Sequence, residues 1–306
     1  MIAGPTGVGK TATAVALARR LPMAVVSADS RQVYRRLDAA TGKPTAVERE
    51  SVPHHLIDIA DPDERYQAAR FRRDALAAIE LIRREGRLPV VVGGTGLYIR
   101  ALVRGLDPAP PRDPDFRREL ERVAAAWGAS ALHARLQALA PEVAHRLHPN
   151  DRVRVVRALE LERAGATRPP AEGGWRRAET PYTLLYVGLT RDRSRLSADL
   201  RARAVAMAST GLAEEVHTLL ACYGDEPLPA LQGIGYRQFI DVVRGRTSVA
   251  EAVRLMQRDT VRYAKRQWTW FGREPGIRWI DVDAAGGREG AAETIRALAE
   301  AGGLLG

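Results

Sequence analysis

Short apolar runs of strand length alternate with helical periodicity along the first hundred residues. Residues 23–27 (MAVVS), 55–58 (HLID) and 89–92 (PVVV) read as strands, and 66–85 places apolar side chains at helical spacing and stops at Gly86. Strands alternating with helices predict βαβ units, a parallel sheet and right-handed crossovers. The alternation ends at 107–112 (DPAPPR). Helices are expected over 113–127, 130–139 and 151–164, then a Pro/Gly-rich loop at 167–174. A strand-like run at 183–189 rejoins the sheet, and helices follow to the end apart from a strand near 277–282. The fold class expected is α/β: a parallel-sheet core at 1–111 continued at 179–306, with a helical insertion at 112–178 and a helical, basic C-terminal region.

The sequence Gly4-Pro5-Thr6-Gly7-Val8-Gly9-Lys10-Thr11 is a complete Walker A phosphate loop (P-loop). Gly7 and Gly9 let the backbone curl so that N–H groups converge on phosphate oxygens. Lys10 adds a point charge, and the Thr11 hydroxyl is a candidate ligand for Mg²⁺. The helix that starts here directs its positive end at the anion. Only Met1-Ile2-Ala3 precede the loop, so the first strand is expected to be clipped or its natural start to lie upstream.

In a parallel sheet, ligands bind beyond the carboxyl ends of the strands. Residues 27–34 (SADSRQVY), Asp58 and 93–98 (GGTGLY) follow strands and are expected to gather near the phosphate loop.

Charge narrows the partners. The net charge is +10, yet the chain has only three lysines, Lys10, Lys43 and Lys265. A compact ammonium and a planar guanidinium are not interchangeable at a tight anion site, so all three are candidates for close work. Residues 237–273 hold nine Lys/Arg against three Asp/Glu, with Tyr263, Trp268, Trp270 and Phe271 interleaved. Basic charge with aromatic faces suits RNA, although a helix with a solvated basic face and buried aromatics gives the same pattern. The single Cys222 excludes an intrachain disulfide and a multi-cysteine metal site. No apolar run is long enough to span a membrane, so a cytoplasmic protein is expected, with a monomer as the default.

A phosphate loop most often serves ATP or GTP. An ATP-dependent small-molecule kinase is therefore the rival enzymatic reading, with Asp29 as base or metal ligand. A basic RNA-binding protein with a vestigial phosphate site is the non-enzymatic one. The surrounding residues favour a third reading. In order, the chain carries Asp29-Ser30-Arg31-Gln32-Val33-Tyr34, Thr41-Gly42-Lys43-Pro44, Pro53-His54-His55-Leu56-Ile57-Asp58, Gly93-Gly94-Thr95-Gly96-Leu97-Tyr98, Leu147-His148-Pro149-Asn150-Asp151, Gly233-Ile234-Gly235-Tyr236-Arg237-Gln238 and Tyr263-Ala264-Lys265-Arg266-Gln267. This ordered set closely resembles the tRNA dimethylallyltransferase family over nearly the whole chain.

The resemblance implies Mg²⁺-dependent transfer of a dimethylallyl group from dimethylallyl diphosphate to N6 of the adenine 3′ of the anticodon. The donor's diphosphate would rest on Gly4, Thr6, Gly7, Val8, Gly9, Lys10 and Thr11, with help from Arg203. Asp29 would be the general base. Thr95 would be catalytic with it, hydrogen-bonding the substrate near the loop, and Asp29, Ser30, Arg31, Gln32 and Thr95 would touch the tRNA. Arg117, Val153, Arg154, Val155, Val156, Arg157 and Lys265 would contact the anticodon stem-loop. The resemblance further implies that the adenine flips into a channel that diphosphate enters from the other side.

Overall fold

The computed structural model describes residues 1–106, 109–166, 183–224 and 228–305. The expected loop at 167–174 lies outside them. The chain divides into two compact units. One comprises Met1–Val103 with Glu179–Gly306, and the other Arg104–Ala178.

The larger unit is built on a six-stranded, wholly parallel sheet. Its elements are β1 Ile2–Ala3, α1 Lys10–Ala18, β2 Met23–Ser27, α2 Ala46–Ser51, β3 His54–His55, α3 Ala68–Arg84, β4 Leu88–Gly93 and α4 Gly96–Arg104, the last reaching the unit's boundary. The helices α5 Pro114–Trp127, α6 Ala129–Leu139, α7 Pro141–His145 and α8 Arg152–Arg163 form the smaller unit. The sheet then resumes with β5 Val187–Thr190, followed by α9 Arg193–Ala208, α10 Leu212–Tyr223, α11 Tyr236–Val243, α12 Val249–Phe271, β6 Arg278–Asp281 and α13 Gly287–Ala301. The strand order is β3-β2-β4-β1-β5-β6.

Both sheet faces are covered, which is why the strands read as continuous apolar runs. Along β2, Ala24 and Val26 join a core with Phe71, Ile79 and Ile82 of α3, while Met23 and Val25 join one with Leu17 of α1 and Ala291 and Ile295 of α13. The first strand is as short as the sequence suggested, yet it is paired on both sides: Ile2 lies beside Val92 of β4 and Val187 of β5.

One strand differs from expectation. β3 ends at His55, and the expected continuation through Asp58 is broken because Leu56 and Asp58 adopt left-handed backbone, φ 64° and 57°. Such φ values are uncommon outside glycine and stop a ladder. The Asp58 carboxylate is tied down instead, 2.5 Å from Lys43 Nζ and 3.0 Å from both terminal nitrogens of Arg49.

In the helical unit, Phe116, Leu120, Leu132, Leu136, Val155 and Leu159 recur at i,i+4 and form one core. Asp113 caps α5 through Phe116 N, with Pro114 in the first turn, and Asp151 caps α8 through Arg154 N. α7 escapes sequence reading because five residues show no period.

Candidate active site

The phosphate loop leaves β1 at Gly4 with φ 142°, where a Cβ would lie 2.5 Å from the Leu189 carbonyl of β5. Only glycine permits that approach. Gly7 and Gly9 take φ of 76° and 101°, and Gly9 opens α1. Val8 points its side chain into the core and offers the loop only its backbone.

The half-buried Lys10 folds back, donating to Gly4 O at 3.0 Å and Pro5 O at 2.7 Å. Two of its three donors are so engaged, leaving one for a ligand. Burial lowers its pKa to about 8, the nearby Asp29 carboxylate opposes that, and Arg203 adds to it. Burial also lowers Arg203, again countered by Asp29. Two cations and one carboxylate therefore share one electrostatic neighbourhood.

Because β4 lies between β2 and β1, the loops after all three strands meet. Ala28 N donates to Val92 O, and Thr95 N donates to Ala28 O. Arg31 N donates to Asp29 Oδ1 at 2.8 Å and Gln32 N to the same oxygen at 3.4 Å. Among the described residues no hydrogen bond reaches the other oxygen, Oδ2. Ser30 N donates to Thr95 Oγ1 at 3.0 Å. Burial, with the Asp29 charge adding, pushes the phenol of Tyr263 on α12 up to about 12, and the neighbouring Thr95 hydroxyl opposes the shift.

These groups border a cavity of about 260 Å³. Thr6, Asp29, Ser30, Arg31, Arg203 and Tyr263 give it a polar side, while Leu200, Ala204, Met207, Ile234 and Met256 give it an apolar one. A cation-bearing concavity with one apolar wall suits a ligand that joins an anion to a hydrocarbon.

The remaining expected residues sit elsewhere. Gln32 is turned aside, its amide held between Ser27 Oγ and Gly42 O. Lys43 is consumed by structure, its ammonium contacting Tyr34 O, Asp38 and Asp58. Lys265 is exposed and lines a separate surface pocket with Arg193, Ser197, Trp268 and Thr269.

In the helical unit, Val155 and Val156 were expected to touch tRNA. Both are buried in its core, at 0% and 7% exposure, where their side chains pack with Phe116, Leu120 and Leu159. Val153 and Arg154 are exposed. Arg117 and Arg157 converge on the buried Glu160, Arg117 with two bonds of 2.5 and 2.7 Å and Arg157 with one of 3.2 Å. Burial raises the Glu160 carboxyl, but those hydrogen bonds outweigh it and hold the pKa below the ordinary glutamate value. The two arginines thus hold the unit together. Glu160→Gln is expected to cost about 3 kcal/mol, because it strands partly buried guanidinium charge. Urea unfolding followed by hydrogen exchange on α5 and α8 checks this. The stabilisation is present above the unfolded carboxyl pKa and lost as pH falls through the lower folded one, so wild type and variant should converge in acid.

Sequence reading left Tyr263 and Gln267 out of the candidate site. Gln267 accepts from Thr6 N and donates to Gly94 O, both at 2.8 Å. Their i,i+4 spacing on a basic, aromatic helix was the available signal. No group of three or more His, Cys, Asp or Glu side chains able to hold a metal occurs among the described residues, nor any helix long and apolar enough to cross a membrane.

Comparison with known proteins agrees with this geometry. The IPP transferase family model matches residues 32–274, and the isopentenyl transferase model residues 1–61. A tRNA dimethylallyltransferase of Anaeromyxobacter sp. (strain Fw109-5) is 52% identical over 92% of this chain and 93% of its own length. One from Syntrophobacter fumaroxidans is 46% identical over 92% and 83%. The crystal structure of the full-length tRNA isopentenylpyrophosphate transferase from Bacillus halodurans superposes with a TM-score of 0.71 at 38% identity, covering 99% of this chain and 96% of that one. A eukaryotic dimethylallyltransferase, solved in crystallographic snapshots acting on tRNA, gives 0.75 at 28% identity over 92% and 72%. With matches spanning nearly its whole length, the chain belongs to the IPP transferase family and is an enzyme of the tRNA dimethylallyltransferase type.

Proposed function

We propose that the enzyme transfers a dimethylallyl group from dimethylallyl diphosphate to N6 of the adenine next to the anticodon, with Asp29 as general base and the phosphate loop as diphosphate cradle. The observation that carries this is a cavity where Thr6 of the phosphate loop, the Asp29 carboxylate and the Arg203 guanidinium face an apolar wall. The donor's diphosphate lies on the loop N–H groups, with Lys10 and Arg203 drawing off charge. The hydrocarbon rests against Leu200, Met207 and Met256. The adenine enters beside Asp29, Ser30 and Thr95, and an unpaired loop base is cheap to extrude.

In the reaction, the C1–O bond of the allylic donor breaks as a C1–N6 bond forms. The electron pair leaves with diphosphate. The N6 proton passes to the free oxygen of Asp29, because an aromatic amine is a poor nucleophile unless it is deprotonated as it attacks. Charge growing on the leaving group is met by oriented N–H donors and two cations that need no reorganisation. The Thr11 hydroxyl is a hard oxygen donor of the kind Mg²⁺ takes, together with substrate phosphate and water. When bound, Mg²⁺ would supply further neutralisation of the diphosphate.

The test uses labelled dimethylallyl diphosphate with unmodified tRNA, and ATP as the alternative donor in parallel. Label is expected in tRNA with diphosphate released and ATP untouched. Phosphorylation of a small acceptor at ATP's expense would establish the kinase reading instead. tRNA binding without any product would leave an RNA-binding protein.

A further inference from the structure

We propose that Gln267 is a positioning residue that fixes the distance between the two reacting partners by bridging the phosphate loop to the glycine-rich loop after β4. This rests on the transferase reading above. The Gln267 side chain is 5% exposed and spends its amide on two backbone groups: Oε1 accepts from Thr6 N, and Nε2 donates to Gly94 O. Thr6 belongs to the loop that cradles the donor. Gly94 precedes Thr95, whose hydroxyl holds Ser30 N in the segment that carries Asp29. One amide therefore ties the donor's loop directly to the acceptor's loop.

The fit is close on both sides. A Cβ on Gly94 would lie 2.3 Å from Gln267 Nε2, so the position opposite the amide has room only for hydrogen. The bridge also does not act alone. Tyr263, one turn earlier on the same face of α12, lies next to Thr95. A 23-residue helix thus reaches both Gly94 and Thr6 through one side chain. An in-line displacement is sensitive to such spacing: a misplacement of about 1 Å can cost about 100-fold in rate. The amide is suited to the task because it needs one acceptor and one donor at fixed sites, which neither a carboxylate nor an alkyl group supplies.

The bridge is tested with Gln267→Glu, Gln267→Leu and Gly94→Ala in single-turnover transfer, alongside wild type, with circular dichroism and melting to confirm folding. Gln267→Leu and Gly94→Ala are expected to lower the chemical rate about 10- to 100-fold with the tRNA Kd within about twofold of wild type. Gln267→Glu tests the bonding itself. An ionised carboxylate accepts from Thr6 N but repels Gly94 O, whereas a protonated one restores both bonds. Burial raises a carboxyl's pKa above about 4.3, so the ratio of Gln267→Glu to wild-type rate should climb as pH falls from 8 toward 5. The ratio for Gln267→Leu should stay flat. Folded variants that react at wild-type rates would overturn the proposal, as would a Gln267→Glu ratio that does not change with pH. The two readings fail separately: a wild type that transfers nothing to tRNA sinks the transferase reading, while variant-to-wild-type ratios judge only the bridge.

Discussion

Replacing Asp29 with either alanine or asparagine is expected to reduce turnover by about 100-fold or more while inorganic diphosphate still binds. The pair of variants matters because Asp29 does two things. Its Oδ1 accepts from Arg31 N and Gln32 N and so shapes the turn after β2. Alanine removes that acceptor together with the base. Asparagine keeps an acceptor for the turn but cannot take a proton from N6. If the carboxylate works only as a turn former, asparagine should be close to wild type, and that result would defeat the assignment. If it is the base, both variants fall together, and single-turnover rates with saturating tRNA show it. Affinity for diphosphate should hold or rise slightly in each, because a negative neighbour of Lys10 and Arg203 has been removed.

Lys10→Met is expected to lower kcat/KM by about 100-fold or more, the usual scale for removing one preorganised donor at a developing anion. A pH signature accompanies it. Free Lys10 titrates near 8 because burial disfavours its charge. Diphosphate needs the ammonium, so wild-type affinity should weaken as pH rises through about 8, by at most about tenfold per unit. Stability should move the other way. Between about 8 and the ordinary lysine value of 10.5, the unfolded chain binds the proton and the folded one does not, so the unliganded protein gains stability as pH rises. Subtracting the Lys10→Met profile removes the titration of diphosphate itself and of other side chains. Calorimetric binding and thermal melts from pH 6 to 10 measure both trends; parallel profiles for wild type and variant would show that Lys10 is not the titrating group.

Much of this architecture could be read from the chain, and the parts that could not have physical reasons. The buried strands announced themselves because both faces of a parallel sheet are covered, leaving runs such as Val90-Val91-Val92 with no polar alternation. The phosphate loop was legible because its glycines answer to backbone geometry alone. β3 was misplaced because an apolar run at 55–58 says nothing about the left-handed turns at Leu56 and Asp58, or about Lys43 and Arg49 meeting the Asp58 carboxylate from elsewhere. Residues Val153–Arg157 were all expected to contact tRNA. Folding sorts them into exposed Val153 and Arg154, buried Val155 and Val156, and an arginine committed to Glu160. Rarity of lysine singled out Lys10, which folds back onto the loop, but also drew in Lys43, which balances two carboxylates far along the chain from it. Gln267 ends the Tyr263–Gln267 run that carries the family resemblance, but it has no charge and fits no general motif of phosphate chemistry, so its two backbone contacts appear only in three dimensions.

On the proposed reading, the apolar side of the cavity has a consequence for fidelity. An allylic centre losing its diphosphate is, for a moment, a strong electrophile, and water at molar concentration would capture it as a five-carbon alcohol. Leu200, Met207 and Met256 offer no lone pair strong enough to compete and no partner to hold a water in place. For a transferase of this kind, greasy walls thus guard the yield: opening them to solvent would waste donor by solvolysis before it slowed the prenylation of RNA.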